Sequence, residues 1–185
     1  EAKENFKIAI PAKIILETLK ALPEQPISIN IDEISFGIEI TSDNGKYKLT
    51  GENGEDFPKI PQQEDTQKVS FASSILNMAI SKTLFAVSND ELRPAMTGVL
   101  FQLNEDGITF VATDAHKLVK FNRKDVSVAE NTSFIVPKKA LNLLKGTVSS
   151  SDNLVEISFN GSNAFFTFDN VHLICRLIDA RYPDY

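Results

Sequence analysis

The chain has no tryptophan, one cysteine, two histidines and two methionines in 185 residues. A lone thiol cannot close an internal disulfide, so a small scaffold held by bridges is excluded and a reducing cytoplasm is the expected setting. Cys175 sits in the apolar run Leu173-Ile174-Cys175-Arg176-Leu177 and reads as a buried thiol. The histidines, His116 and His172, lie in separate segments without ligand spacing, so no metal centre is signalled. No cofactor motif is signalled either. No stretch approaches the roughly 20 apolar residues of a membrane span. The opening Glu1-Ala2-Lys3-Glu4-Asn5 is polar and is not a signal peptide. It also lacks a Met, so the chain reads as starting inside a longer protein.

What is present is an apolar share of 42% with 13 Phe, enough for a core of aliphatic and phenyl side chains in one large or two small domains. The net charge of −6 is unevenly placed: residues 1–66 hold 7 Lys/Arg against 13 Asp/Glu, and residues 67–185 hold 12 against 12. Bulk charge therefore does not point to nucleic acid. Only local clusters of Lys and Arg could do so, because screening makes charges nearly independent beyond about 8–10 Å.

The pattern repeats three times. A short extended run enters a helix, and two or three alternating strands follow, with openings near Phe6, Val69 and Phe134. Ile10-Pro11-Ala12-Lys13 returns as Val136-Pro137-Lys138-Lys139, and Phe57-Pro58 returns as Tyr182-Pro183. The first unit predicts a strand over 6–10, a helix from Pro11 stopped by Pro23, and strands over 27–31, 35–40 and 46–50 with a hairpin turn at Asp43-Asn44-Gly45. Residues 51–67, rich in Gly, Pro, Glu and Gln, read as a linker. The second unit predicts a strand over 68–71, a helix over 72–87, a polar loop over 88–94, and strands over 97–103, 108–113 and 116–121 with turns at Asn104-Glu105-Asp106-Gly107 and Asp114-Ala115. The third predicts a strand over 133–136, a helix from Pro137 capped by Gly146, and strands over 154–159, 164–168 and 172–178. The fold class is α+β: repeated strand–helix–strands half-domains with antiparallel sheets outside and paired helices on one inner face. Units two and three make one domain over 67–185. Unit one, residues 1–66, is half a domain whose partner half precedes Glu1.

Thr113-Asp114-Ala115-His116-Lys117-Leu118 is the segment most like a site. In an extended strand Asp114 and His116 face one side, and a hydrolase would use His116 as a general base oriented by Asp114. That needs a nucleophile or a metal, and neither is signalled. A purely structural role, with Asp114 in a turn and His116 hydrogen-bonded, stays open beside a binding surface.

Arg93-Pro94-Ala95-Met96-Thr97-Gly98-Val99-Leu100-Phe101, followed by Phe110-Val111-Ala112 and the 113–118 segment, resembles the central domain of the bacterial DNA polymerase III beta sliding clamp. Glu55-Asp56-Phe57-Pro58 is similar to that family's junction between first and second domains, and Asp179-Ala180-Arg181-Tyr182-Pro183-Asp184-Tyr185 to the close of the second. The resemblance implies a DNA-clamp fold, with residues 1–66 as the second half of domain one plus the linker, 67–185 as all of domain two, and domain three absent. It implies a non-catalytic processivity factor that encircles duplex DNA without reading its sequence. The implied partners are that DNA, a second protomer closing the ring, the replicative polymerase catalytic subunit and the clamp loader; no membrane is among them.

Lysines facing phosphates supply sequence-independent attraction. On the third helix Lys138 and Lys145 are seven apart on one face, with Lys139 beside them and no acid in the helix. The first helix fits less well, because Glu17 shares the face of Lys13 and Lys20. The resemblance adds Arg93 as a DNA-facing loop residue. It also carries a peptide-docking role to Met96, Thr113, Ala115, His116, Lys117 and Leu118. A duplicated α+β ligand-binding or adhesion module without a DNA role is the competing reading.

Overall fold

The computed structural model describes residues 6–128 and 131–185; the polar opening Glu1-Ala2-Lys3-Glu4-Asn5 lies outside them. The chain divides into two compact units, Glu1–Pro61 and Gln62–Tyr185.

In the first unit, β1 (Ile8–Ala9) pairs antiparallel with β5 (Glu52–Asn53), and α1 (Ala12–Ala21) follows Pro11. A three-stranded antiparallel sheet runs β2 (Ser28–Ile31), β3 (Gly37–Ser42), β4 (Gly45–Thr50). Its alternation places Ile38 and Ile40 in the core, while Glu39 on the opposite face takes ion pairs from Lys46 at 3.0 Å and Lys48 at 3.4 Å. The expected strand over 6–10 shortens to two residues. The expected linker is partly ordered, because β5 and a 3-10 turn over Gly54–Asp56 pack on β1. No residue of α1 is buried: Ile14 and Leu16 are each 53% exposed.

In the second unit, β6 (Gln67–Ala72) leads into α2 (Ser73–Thr83), then β7 (Gly98–Asn104), β8 (Gly107–Thr113) and β9 (Leu118–Arg123). The pattern recurs as β10 (Thr132–Pro137), α3 (Lys138–Thr147), β11 (Leu154–Phe159), β12 (Asn163–Phe168) and β13 (Val171–Arg176). The two halves exchange their opening strands. The sheets are ordered β10-β7-β8-β9 and β13-β12-β11-β6, all antiparallel, so each opening strand completes the other half's sheet.

Both helices pack on this framework and on each other. Leu76 and Ile80 of α2 and Leu141 and Leu144 of α3 share one fully buried core with both sheets. Phenyl rings cross it: Phe101 meets Phe134 at 5.3 Å, and Phe134 meets Phe159 of the other sheet at 4.4 Å between centroids. The first free N–H groups of α2 are also met across the halves, Ser73 N donating to Asn153 O at 2.7 Å and Ser74 N to Ser151 O at 2.9 Å.

Three expected boundaries move. The long helix over 72–87 stops at Thr83 and continues as a 3-10 turn over Leu84–Ala86. Gly146 is not the cap of α3 but lies within its last turn; Thr147 Oγ1 donates to Leu143 O, and buried Val148 leaves in an extended conformation. The strand expected from His116 begins at Leu118, for the reason given next.

Candidate nucleic-acid and peptide interface

The turn expected at Asp114-Ala115 is present and extends over residues 113–117, so His116 and Lys117 belong to it rather than to the following strand. Thr113 Oγ1 donates to Lys117 O at 2.8 Å and accepts from Ala115 N at 3.1 Å. Asp114 Oδ1 accepts from His116 N at 3.1 Å and Lys117 N at 2.9 Å, and Oδ2 accepts from Lys117 Nζ. These bonds hold the Asp114 carboxyl well below its ordinary range, with Lys117 the main cause. Ala115 sits at φ +75°, a left-handed conformation that side chains disfavour.

The turn corrects the hydrolase reading. Asp114 and His116 do not share a strand face; Asp114 binds the backbone of His116 and the ammonium of Lys117. The other histidine is on the second sheet, with Nδ1 3.2 Å from Thr167 Oγ1. Among the described residues no group of three His, Cys, Asp or Glu could hold a metal ion. Cys175 is half-buried against the core, which pushes its thiol up to about 11.

Leu118 pairs with Thr113 across β8 and β9 and is 46% exposed. Met96 is half-buried in a 3-10 turn over Pro94–Thr97. That turn is fixed by Met96 N to Arg93 O at 3.0 Å and Ser88 N to Met96 O at 2.9 Å. Gly98 follows because a Cβ there would lie 2.5 Å from Val136 O. Ala95 packs with Leu100, Val111, Ile135 and Tyr182 in a small cluster of its own, separate from the main core. Tyr182 donates from Oη to Val111 O at 3.3 Å, and burial pushes its phenol up to about 12. The structure thus joins the Met96 turn, the Thr113 strand end and the Tyr182 segment. Sequence reasoning did not single out Tyr182, although the repeat of Phe57-Pro58 as Tyr182-Pro183 marked it. A cavity of about 1010 Å³ lies along the same segment, lined by Gln102, Lys120, Ser133, Tyr182 and Tyr185 among others. None of the six docking candidates lines it.

The cationic candidates are distributed as follows. Lys139 and Lys145 are exposed on α3. Lys138 Nζ donates to Asn89 Oδ1 at 2.7 Å, which ties the start of α3 to the loop over 88–93. In that loop Arg93 Nε donates to Asp90 Oδ2 at 2.8 Å, and Leu92 N donates to Asp90 Oδ1 at 3.0 Å. Lys13 and Lys20 are exposed on α1 of the first unit. Lys82 is a further exposed lysine, on α2, beside exposed Met78 and Phe85. No helix among the described residues is long and apolar enough to cross a membrane.

Two family models match: "DNA polymerase III beta subunit, central domain" over residues 70–184 and "DNA polymerase III beta subunit, N-terminal domain" over residues 1–61. The chain is similar to the beta sliding clamp of Staphylococcus aureus, 30% identical over 181 residues, covering 98% of this chain and 48% of that protein. It resembles the crystal structure of the DNA polymerase sliding clamp from Bacillus subtilis with a TM-score of 0.82 at 29% identity, covering 96% of this chain and 47% of that one. A putative DNA polymerase III beta subunit from Eubacterium rectale gives a TM-score of 0.80 at 27% identity, covering 95% and 48%. The chain spans about half the length of the curated relatives it matches.

Proposed function

Since the chain belongs to the DNA polymerase III beta-subunit family, we propose that it is part of a sliding clamp, a cytoplasmic and non-catalytic processivity factor. The parent protein closes as a homodimeric ring around duplex DNA and tethers the replicative polymerase, after opening by a clamp loader. Residues 1–66 belong to the second half of domain one with its linker, and residues 67–185 are the complete second domain. The rest of the ring comes from parent sequence outside these 185 residues. The exposed apolar side chains of α1 support this, since Ile14 and Leu16 have no cover within their own unit.

The observation that carries the proposal is the exchanged pair of halves with α2 and α3 side by side, exposing Lys139 and Lys145. A surface of this kind attracts the phosphate backbone without reading bases. Arg93, Lys138, Lys13 and Lys20 add to it. Topological retention then allows each contact to be weak and sliding to stay fast. The full-length parent, loaded on DNA, is expected to remain on closed circles and to run off linearised DNA. Equal retention on both forms would refute the ring.

Met96, Ala115, His116, Lys117 and Leu118 form the second domain's side of a groove for short peptides of polymerase and loader. Met96 and Leu118 supply adaptable apolar area. Thr113 contributes by holding the turn, since its hydroxyl is bonded on both sides. In the parent, Met96→Gln with Leu118→Gln is expected to weaken such peptides by at least about tenfold with the melting temperature nearly unchanged. Unaltered peptide affinity, measured by fluorescence anisotropy, would remove this assignment.

A further inference from the structure

The loop that leads into the Met96 turn and the turn that carries most of the docking candidates are built alike. In each, an aspartate takes the backbone N–H two residues on with Oδ1 and the cation three residues on with Oδ2: Asp90 with Leu92 and Arg93, and Asp114 with His116 and Lys117. The Asp114 side chain is the less accessible partner of its ion pair, 20% exposed against 48% for Lys117. It lies beneath the turn and determines where Ala115, His116 and Lys117 point.

We propose that Asp114 is the positioning residue of the docking wall and sets its specificity. By holding the Lys117 ammonium it leaves the wall electrically compensated, so that uncharged apolar segments are accepted and acidic ones gain nothing. This rests on the docking role argued above. Removing the carboxylate's charge frees Lys117 to attract acidic peptides, because an uncompensated rim charge acts on affinity through salt-sensitive Coulomb attraction. Asparagine keeps the Oδ1 acceptor for both backbone N–H groups, so the turn can persist without the charge.

The test uses the full-length parent and two labelled, end-capped hexapeptides that share a Leu and Phe end. They are identical except at the two central positions, where one carries Gln and the other Glu. Anisotropy is expected to give wild type the same affinity for both within about twofold. Asp114→Asn is expected to favour the acidic peptide by about three- to tenfold at about 50 mM salt, a preference that fades at about 300 mM. Adding Lys117→Gln to Asp114→Asn is expected to restore the wild-type ratio. An unchanged ratio in Asp114→Asn overturns the inference. So does a preference that survives in the double variant, or equal loss of both peptides, which marks Asp114 as merely structural. If neither peptide binds wild type, the groove itself is refuted, an outcome distinct from a wrong ratio in a working groove.

Discussion

Ala115 shows how much of the candidate site depends on single backbone conformations. Its φ of +75° is imposed by Thr113 and Asp114, whose side chains bond the backbone on either side of it. A methyl side chain tolerates this region at a cost of about 1 kcal/mol, and a β-branched one tolerates it worse. Ala115→Val is therefore expected to destabilise the parent by about 1–3 kcal/mol in thermal or denaturant unfolding and to weaken peptide docking. Ala115→Gly is expected to stay within about 1 kcal/mol of wild type. Asp114 and His116 were legible as a special pair, but their relation was not. Two residues apart, they share a face in a strand and part company in a turn, and only the backbone hydrogen bonds decide which holds.

The elements were the most legible level. Alternation and the 3.6-residue stripe placed three helices and most strands within a few residues, because a sheet face or helix stripe must be apolar to be buried. The differences fall where local patterns compete with packing. Phe85 looked like a continuation of α2, yet it is 64% exposed on a 3-10 turn. Gly146 looked like a cap, but the burial of Val148 ends α3 further on. The surface of α3 was readable for the opposite reason: a helix with Ala140, Leu141 and Leu144 inward leaves its lysines outward. Lys139→Glu with Lys145→Glu is expected to weaken DNA binding by the parent and to lower the salt slope by about 1 for each lost phosphate contact. A slope that stays the same across a salt titration would place these lysines off the DNA.

At the scale of the whole second unit, the exchange of opening strands makes the halves interdependent. β6 completes the sheet of β11 to β13, β10 completes that of β7 to β9, and Phe134 packs against Phe159 across them. Neither half keeps four strands without the other. Phe134→Ala is therefore expected to lower the stability of the entire unit by about 3–5 kcal/mol in one cooperative transition. Two separate transitions, followed by calorimetry or hydrogen exchange, would show the halves to be independent. The duplication, the α+β class, the lysine-bearing third helix and the family resemblance were all determined by sequence, because they rest on short-range periodicity and local motifs. The strand exchange and the Tyr182 cluster were decided only by tertiary structure, as was the left-handed φ at Ala115 within the turn that sequence placed at Asp114-Ala115. Each joins residues whose partnership depends on hydrogen bonds and packing between segments far apart in the chain, or on one φ angle, and neither leaves a periodic trace.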